Sequence, residues 1–144
     1  NAQNSIAESG WVVVTEGIFD VMGFYAAKIY PAVALLGTSF SGIQATMLAH
    51  YCTKFLLAFD NDASGRKATL ATANLARQFN YRPCLLPLPP QWKDVGEMAQ
   101  HDPDGLRKLV YLAIEEFECS PDVDCTQRLV KKIKGLHHFS AGVS

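Results

Sequence analysis

Three acidic groups each follow an apolar run in this 144-residue chain, and their types and spacing suit a hard divalent cation. Glu16-Gly17 closes the run Trp11–Thr15, with Asp20 close behind. Asp60-Asn61-Asp62 closes the run 54–59. Lys93-Asp94, with Glu97, follows the proline-bearing stretch 83–90. Carboxylates placed just past buried strands do nothing for packing, and like charges held together repel one another. An oxygen-ligated ion of the Mg²⁺ kind is the usual remedy.

Each group also has an ordinary explanation. Glu16 and Asp20 could complement the positive end of the helix they open, with Gly17 letting the backbone turn sharply into it. Asp62 could cap the helix that starts at Ala63-Ser64-Gly65. Asp94 and Glu97 could be an N-cap and its partner three residues on. Asp60, directly after Phe59, has no such explanation. Arg66 and Lys67 stand in a first helical turn, where cations are mildly unfavourable, so at least Arg66 is expected to face a phosphate or the carboxylates. Gly37 and Thr38 could offer backbone N–H and hydroxyl groups to a phosphate. Ser41 with Gln44 fits a capping box and needs no further role.

The elements that must position these residues alternate. Continuous apolar runs at 11–15, 32–36, 54–59 and 84–88 read as strands covered on both faces. Helical stretches at 19–29, 41–52 and 64–79 lie between them. This alternation predicts an α/β fold with a mainly parallel four-stranded sheet, whose ligand site lies at the carboxyl ends of the strands. Segments 104–117 and 121–134 read as helices outside that core, the second ended by Gly135. The expected division is therefore a tail over 1–10, a core over 11–103 and a helical C-terminal extension over 104–144. The chain opens Asn1-Ala2 without methionine, so the tail is expected to be a cloning remnant or the start of an excised fragment.

With 49% hydrophobic residues the chain has material for a substantial core, and its net charge of −1 provides no obvious basic groove for nucleic acid. No run has membrane-spanning length. Cys52, Cys84, Cys119 and Cys125 lack a disulfide framework spacing, which points to reduced thiols in a cytoplasmic protein. The five residues between Cys119 and Cys125 exceed the usual zinc-ligand spacing, which argues against a site with His137 and His138. Lys131, Lys132 and Lys134 read as the solvated face of the last helix.

Glu16-Gly17-Ile18-Phe19-Asp20-Val21, Leu35-Leu36-Gly37-Thr38-Ser39, Asp60-Asn61-Asp62-Ala63-Ser64-Gly65-Arg66 and Lys93-Asp94-Val95-Gly96-Glu97 occur in that order. In this order they resemble the Toprim domain, a Rossmann-like fold, and most closely its DnaG-type primase branch. The resemblance implies Mg²⁺ or Mn²⁺ held by Glu16, Asp60, Asp62 and Asp94, with Glu16, Asp60 and Asp62 catalytic. It implies phosphate contacts from Arg66 and Lys93, with Asp20 and Glu97 as outer ligands or supporting partners beside Gly17 and Gly65. The implied activity is primer synthesis in DNA replication by nucleotidyl transfer from nucleoside triphosphates on a single-stranded DNA template. Zinc-binding, basic template-binding and helicase domains would lie elsewhere in the same protein, and an isolated core could be inactive. Two alternatives stay open: a Toprim nuclease or RNA-processing enzyme of the OLD or ribosomal-RNA-maturase type, and a non-catalytic nucleic-acid-binding module.

Overall fold

The apolar runs form the expected parallel sheet. A computed structural model describes residues 2–36, 39–119 and 125–141, with side chains for all of these except 117–119, 125–126 and 136–141. Strands β1 (Trp11–Thr15), β2 (Ala32–Ala34), β3 (Lys54–Leu57) and β4 (Arg82–Leu85) make one four-stranded sheet in the order β2-β1-β3-β4. Val13 is in register with Ala32 and with Leu56, and Leu56 with Cys84, so these side chains share one face. Val12, Val14, Phe55 and Leu57 point to the other.

Both faces are covered. Helices α2 (Ile18–Ala26), α5 (Val95–His101), α6 (Pro103–Cys119) and α7 (Cys125–Ala141) cover the first, burying Phe24, Met98, Leu106, Val110 and Leu129. Helices α1 (Ala2–Ser9), α3 (Gly42–Ala49) and α4 (Ala63–Gln78) cover the second, with Ile6, Ala45, Ala73 and Ala76 against the sheet. A side chain such as Phe55, with no exposure, contributes roughly 1.5–3 kcal/mol by leaving water. The split of helices follows from the strand order. Right-handed crossovers that step in opposite directions must lie on opposite faces. The direction changes between β1 and β3, so the crevice at this switch lies beyond their carboxyl ends.

Several boundaries differ from the sequence reading, each for a local reason. The segment taken as a tail is helix α1, closed by Gly10 in the left-handed region (φ 76°), whose N–H reaches the Ile6 carbonyl at 2.8 Å. Strand β3 stops at Leu57, although Ala58 still donates to the Val14 carbonyl at 2.9 Å. Strand β4 begins two residues before Cys84 and includes Pro83, which an edge strand tolerates because one side of its backbone needs no ladder partner. The C-terminal helical segment is present, and its first helix supplies Leu106, Leu109, Val110 and Ala113 to the same core as the sheet. Helix α7 runs through Gly135 to Ala141 instead of ending there.

Candidate metal centre

Glu16 and Asp60 leave neighbouring strands at the switch point. Glu16 directly follows β1, and its carbonyl accepts the Leu36 N–H at 3.1 Å, so the β2 side fixes its backbone. Asp60 follows the buried pair Ala58 and Phe59 beyond β3. Asp62 is the N-cap of α4, and one of its carboxylate oxygens accepts the Gly65 N–H at 2.6 Å. Asp94 caps α5 in the same way, accepting the Glu97 N–H at 2.8 Å. Capping occupies one oxygen of each carboxylate, and the sequence-level capping explanation for both residues therefore holds alongside any other role.

Gly65 is what lets Asp60 and the start of α4 come together. A Cβ added there would lie 2.1 Å from the Asp60 carbonyl oxygen and 3.0 Å from its nitrogen, both backbone atoms that cannot swing aside. Gly17 behaves otherwise than expected. Its φ of −126° is ordinary extended backbone, and an added Cβ would meet only an Asp20 carboxylate oxygen at 3.7 Å. Its contribution is its N–H, which with that of Gly96 hydrogen-bonds the Asp20 carboxylate. Asp20, buried in the first turn of α2, is thereby tied to the N-terminus of α5.

The charges at this edge oppose one another. Burial, then Asp60 and Asp94, push the Asp20 carboxyl up to about 6, against the pull of its two backbone donors. Burial first, then Asp60, Asp62 and Asp20, raise Glu16. Asp60 is raised by burial, Asp94 and Asp62, with Lys93 acting in the opposite direction. Five carboxylates are thus electrostatically coupled, and none of the ion pairs among the described residues includes any of them.

The remaining candidates fall at varying distances from this cluster. Lys93 is exposed beside Asp60, whereas Glu97 turns back to accept the Lys93 N–H at 2.7 Å and closes the start of α5. Arg66 is exposed in the first turn of α4, with Nη1 donating to the Asn61 carbonyl at 3.3 Å. Gly37 and Thr38 lie outside the described residues. Asn61, given no role by its sequence position, donates its backbone N–H to the Lys93 carbonyl at 2.9 Å and its side-chain amide to the loop before it. An asparagine between two ligand-type aspartates, followed by a Pro-rich stretch, was the available signal. Gly96 was missed because a backbone donor carries no side-chain signature.

The donor set suits a hard cation: all carboxylate oxygens, in excess of positive charge, at a strand-end crevice. As the side chains stand, no three acidic, histidine or cysteine groups among the described residues already converge on one ligation point. The fit therefore rests on donor chemistry and uncompensated charge. A cavity of about 400 Å³ opens beside Glu16, lined by Phe40, Phe59, Ser64, Ala68 and Thr72 among others.

Fold and edge together define an α/β domain with an acidic strand-end site, and comparison places it. Residues 13–99 match the Toprim-like family, to which the chain belongs. Its sequence is homologous to bacterial DNA primases. It is 35% identical over 119 residues to the DNA primase of Thermotoga maritima, covering 81% of this chain and 20% of that protein. It is 28% identical over 112 residues to that of Borreliella burgdorferi, covering 78% and 21%. The chain thus spans about a fifth of these curated relatives. Among solved structures, the zinc-binding and RNA polymerase domains of Aquifex aeolicus primase share its fold, with TM-score 0.69, 24% identity, and coverage of 89% of this chain and 33% of that one. The RNA polymerase domain of Mycobacterium tuberculosis primase DnaG superimposes with TM-score 0.65 and 27% identity, covering 76% and 38%.

Proposed function

We propose that this chain is the catalytic Toprim domain of a DnaG-like DNA primase, making primers for DNA replication by metal-dependent nucleotidyl transfer. The observation that carries the reading is the set of mutually repelling carboxylates at the β1–β3 switch point in a chain homologous to primases. Glu16, Asp60, Asp62 and Asp94 are the residues that would hold Mg²⁺ or Mn²⁺. Such an ion lowers the pKa of a primer 3′-hydroxyl and neutralises charge on the departing pyrophosphate.

The protein's own residues do the rest. Glu16 and Asp60 leave fixed strand ends, so their backbone positions are set before substrate arrives and side-chain rotation alone would bring the carboxylates onto an ion. Arg66, exposed at the start of α4, and Lys93, exposed beside Asp60, are assigned to the phosphates of a nucleoside triphosphate as charge develops in transfer. Gly37 and Thr38 are assigned to the same phosphates from the sequence, by their backbone N–H and hydroxyl groups. Asp20 and Glu97 support the site from behind: Asp20 joins α2 to α5, and Glu97 fixes Lys93. A single-stranded DNA template is the proposed partner; a related DnaG catalytic domain has been solved bound to single-stranded DNA. With a net charge of −1, this chain supplies little of the template affinity, so other domains of the same protein are assigned that task. Cys52 and Cys84 are buried and not joined in a disulfide, in accord with a cytoplasmic setting, and no described helix is long and apolar enough to cross a membrane.

The test pairs the domain with single-stranded DNA, labelled ribonucleotides and Mg²⁺ or Mn²⁺, with Glu16→Gln in parallel. New oligonucleotides that disappear in the variant support primer synthesis. Shortened DNA that likewise depends on Glu16 replaces the reading with a nuclease.

A further inference from the structure

We infer that Asn61 is a positioning residue: it clamps the 88–93 loop onto the end of β3 and so delivers Asp94 and Lys93 to Asp60. The inference rests on the metal-site reading above and assigns a role to the residue between the two aspartates.

Four backbone carbonyls of one loop converge on this side chain and its N–H. The Asn61 amide Nδ2 donates to the Trp92 carbonyl at 3.2 Å and to those of Leu88 and Pro89, each at 3.4 Å. Its backbone N–H donates to the Lys93 carbonyl at 2.9 Å. Three carbonyl neighbours fix the amide orientation, since only the nitrogen of the pair can donate. The loop needs such a tie. Pro87, Pro89 and Pro90 have no N–H to give, and strand β4 ends at Leu85, with one further bond from the Leu86 N–H to the Leu57 carbonyl at 2.8 Å. Within the loop, Trp92 donates to the Pro89 carbonyl at 3.1 Å, which makes a local turn; Leu88 and Trp92 pack against the core without direction, and Asn61 adds hydrogen bonds that fix the loop against the end of β3. Immediately beyond lie Lys93, which counteracts the rise at Asp60, and Asp94, which contributes to it.

Asn61→Asp separates positioning from charge. It keeps the size of the side chain, replaces a donor with an acceptor facing three carbonyls, and adds a carboxylate beside Asp60. Charge alone predicts tighter cation binding in this variant; loss of the clamp predicts weaker binding. Asn61 is solvent-exposed, so the substitution leaves the core intact. Asn61→Ala removes the donor without adding charge and serves as the second variant.

Two readouts test the inference on the whole chain. The first is amide hydrogen exchange at residues 61 and 92, which should accelerate in both variants relative to amides within β3. The second is Mn²⁺ affinity by electron paramagnetic resonance. It should fall on the order of tenfold, as loss of a ligand-orienting contact does. That loss should vanish in an Asp94→Asn background, because the clamp acts through Asp94. Unchanged exchange overturns the clamp whatever the metal does. Tighter Mn²⁺ binding in Asn61→Asp, or a full loss on top of Asp94→Asn, overturns its action through Asp94. A wild-type chain that binds no Mn²⁺ yet shows the exchange difference retains the clamp and refutes the metal reading instead.

Discussion

The chain holds acidic groups in two contrasting ways. Glu116, with 1% of its surface exposed, sits between α6 and α7 with a full complement of cations. Arg128 Nε meets one of its oxygens at 2.6 Å, Lys132 Nζ pairs with the other, and Arg128 Nη2 also reaches the Glu116 carbonyl at 3.1 Å. Hydrogen bonds from Lys132 and Arg128 hold its carboxyl below the usual range despite burial. At the sheet edge, Glu16, Asp20 and Asp60 are raised by burial and by one another. A carboxylate that serves stability brings its counter-charges with it. A carboxylate group left to repel itself weakens the fold slightly, and the proposed cation is what would offset that cost.

The sharpest way to break the contrast is to make Glu116 resemble the edge. Replacing Arg128 and Lys132 together by methionine leaves a buried carboxylate without compensation. Roughly 3–5 kcal/mol of stability should go, as when one partner of a buried pair is removed. Urea denaturation reads the loss directly, and a change below 1 kcal/mol would show that Glu116 is rehydrated and that the pairs are ornamental.

The edge is attacked through its backbone instead. Gly65→Ala puts a methyl group 2.1 Å from the Asp60 carbonyl oxygen, so either the first turn of α4 or Asp60 itself must move. A stability loss of about 1–3 kcal/mol is expected from overpacking. Mn²⁺ affinity should fall with it, since Asp60 and the Asp62 cap shift together. Retained affinity at full occupancy would mean that the metal, if bound, does not depend on Asp60.

These two sites were unequally legible beforehand. The sheet followed from apolar runs of the right length, and the acidic edge from carboxylates that no packing argument could explain, Asp60 above all. Strand order then does what a linear pattern cannot: it places Glu16 next to Asp60 although 43 residues separate them, because β3 pairs with β1 and not with β2. Helix α1 was unreadable because an eight-residue segment with one buried side chain, Ile6, has little periodicity to detect. Glu116 was missed because its partners lie a helix away, and its neighbour Glu115 makes the pair look like a solvated face. Gly17 was assigned a turn that its φ does not make, since glycine after a strand suggests conformational freedom whether or not the backbone uses it.

The smallest expected effect is the most direct test of the comparison, because the two sites should respond to pH with opposite sign. For Glu116 the folded-state pKa lies below its ordinary value of 4.5. The unfolded chain therefore binds the proton first, and stability from this group is present above about 4.5 and lost as pH falls through the folded value. For Asp20 the folded-state value is about 6 against an ordinary 3.8. Between those values the folded chain binds more protons than the unfolded one, so this group makes stability rise as pH falls. Melting temperatures of wild type, Glu116→Gln and Asp20→Asn in chelator, from pH 7 to pH 4, resolve the two contributions as differences. Glu116→Gln should flatten the acid-side fall, and Asp20→Asn should remove a gentle rise between pH 6 and pH 4. Saturating Mn²⁺ should reverse the second slope, since a bound cation holds the edge carboxylates ionised and protons then compete with it. Parallel slopes in metal and in chelator would mean that no cation is completing that charge.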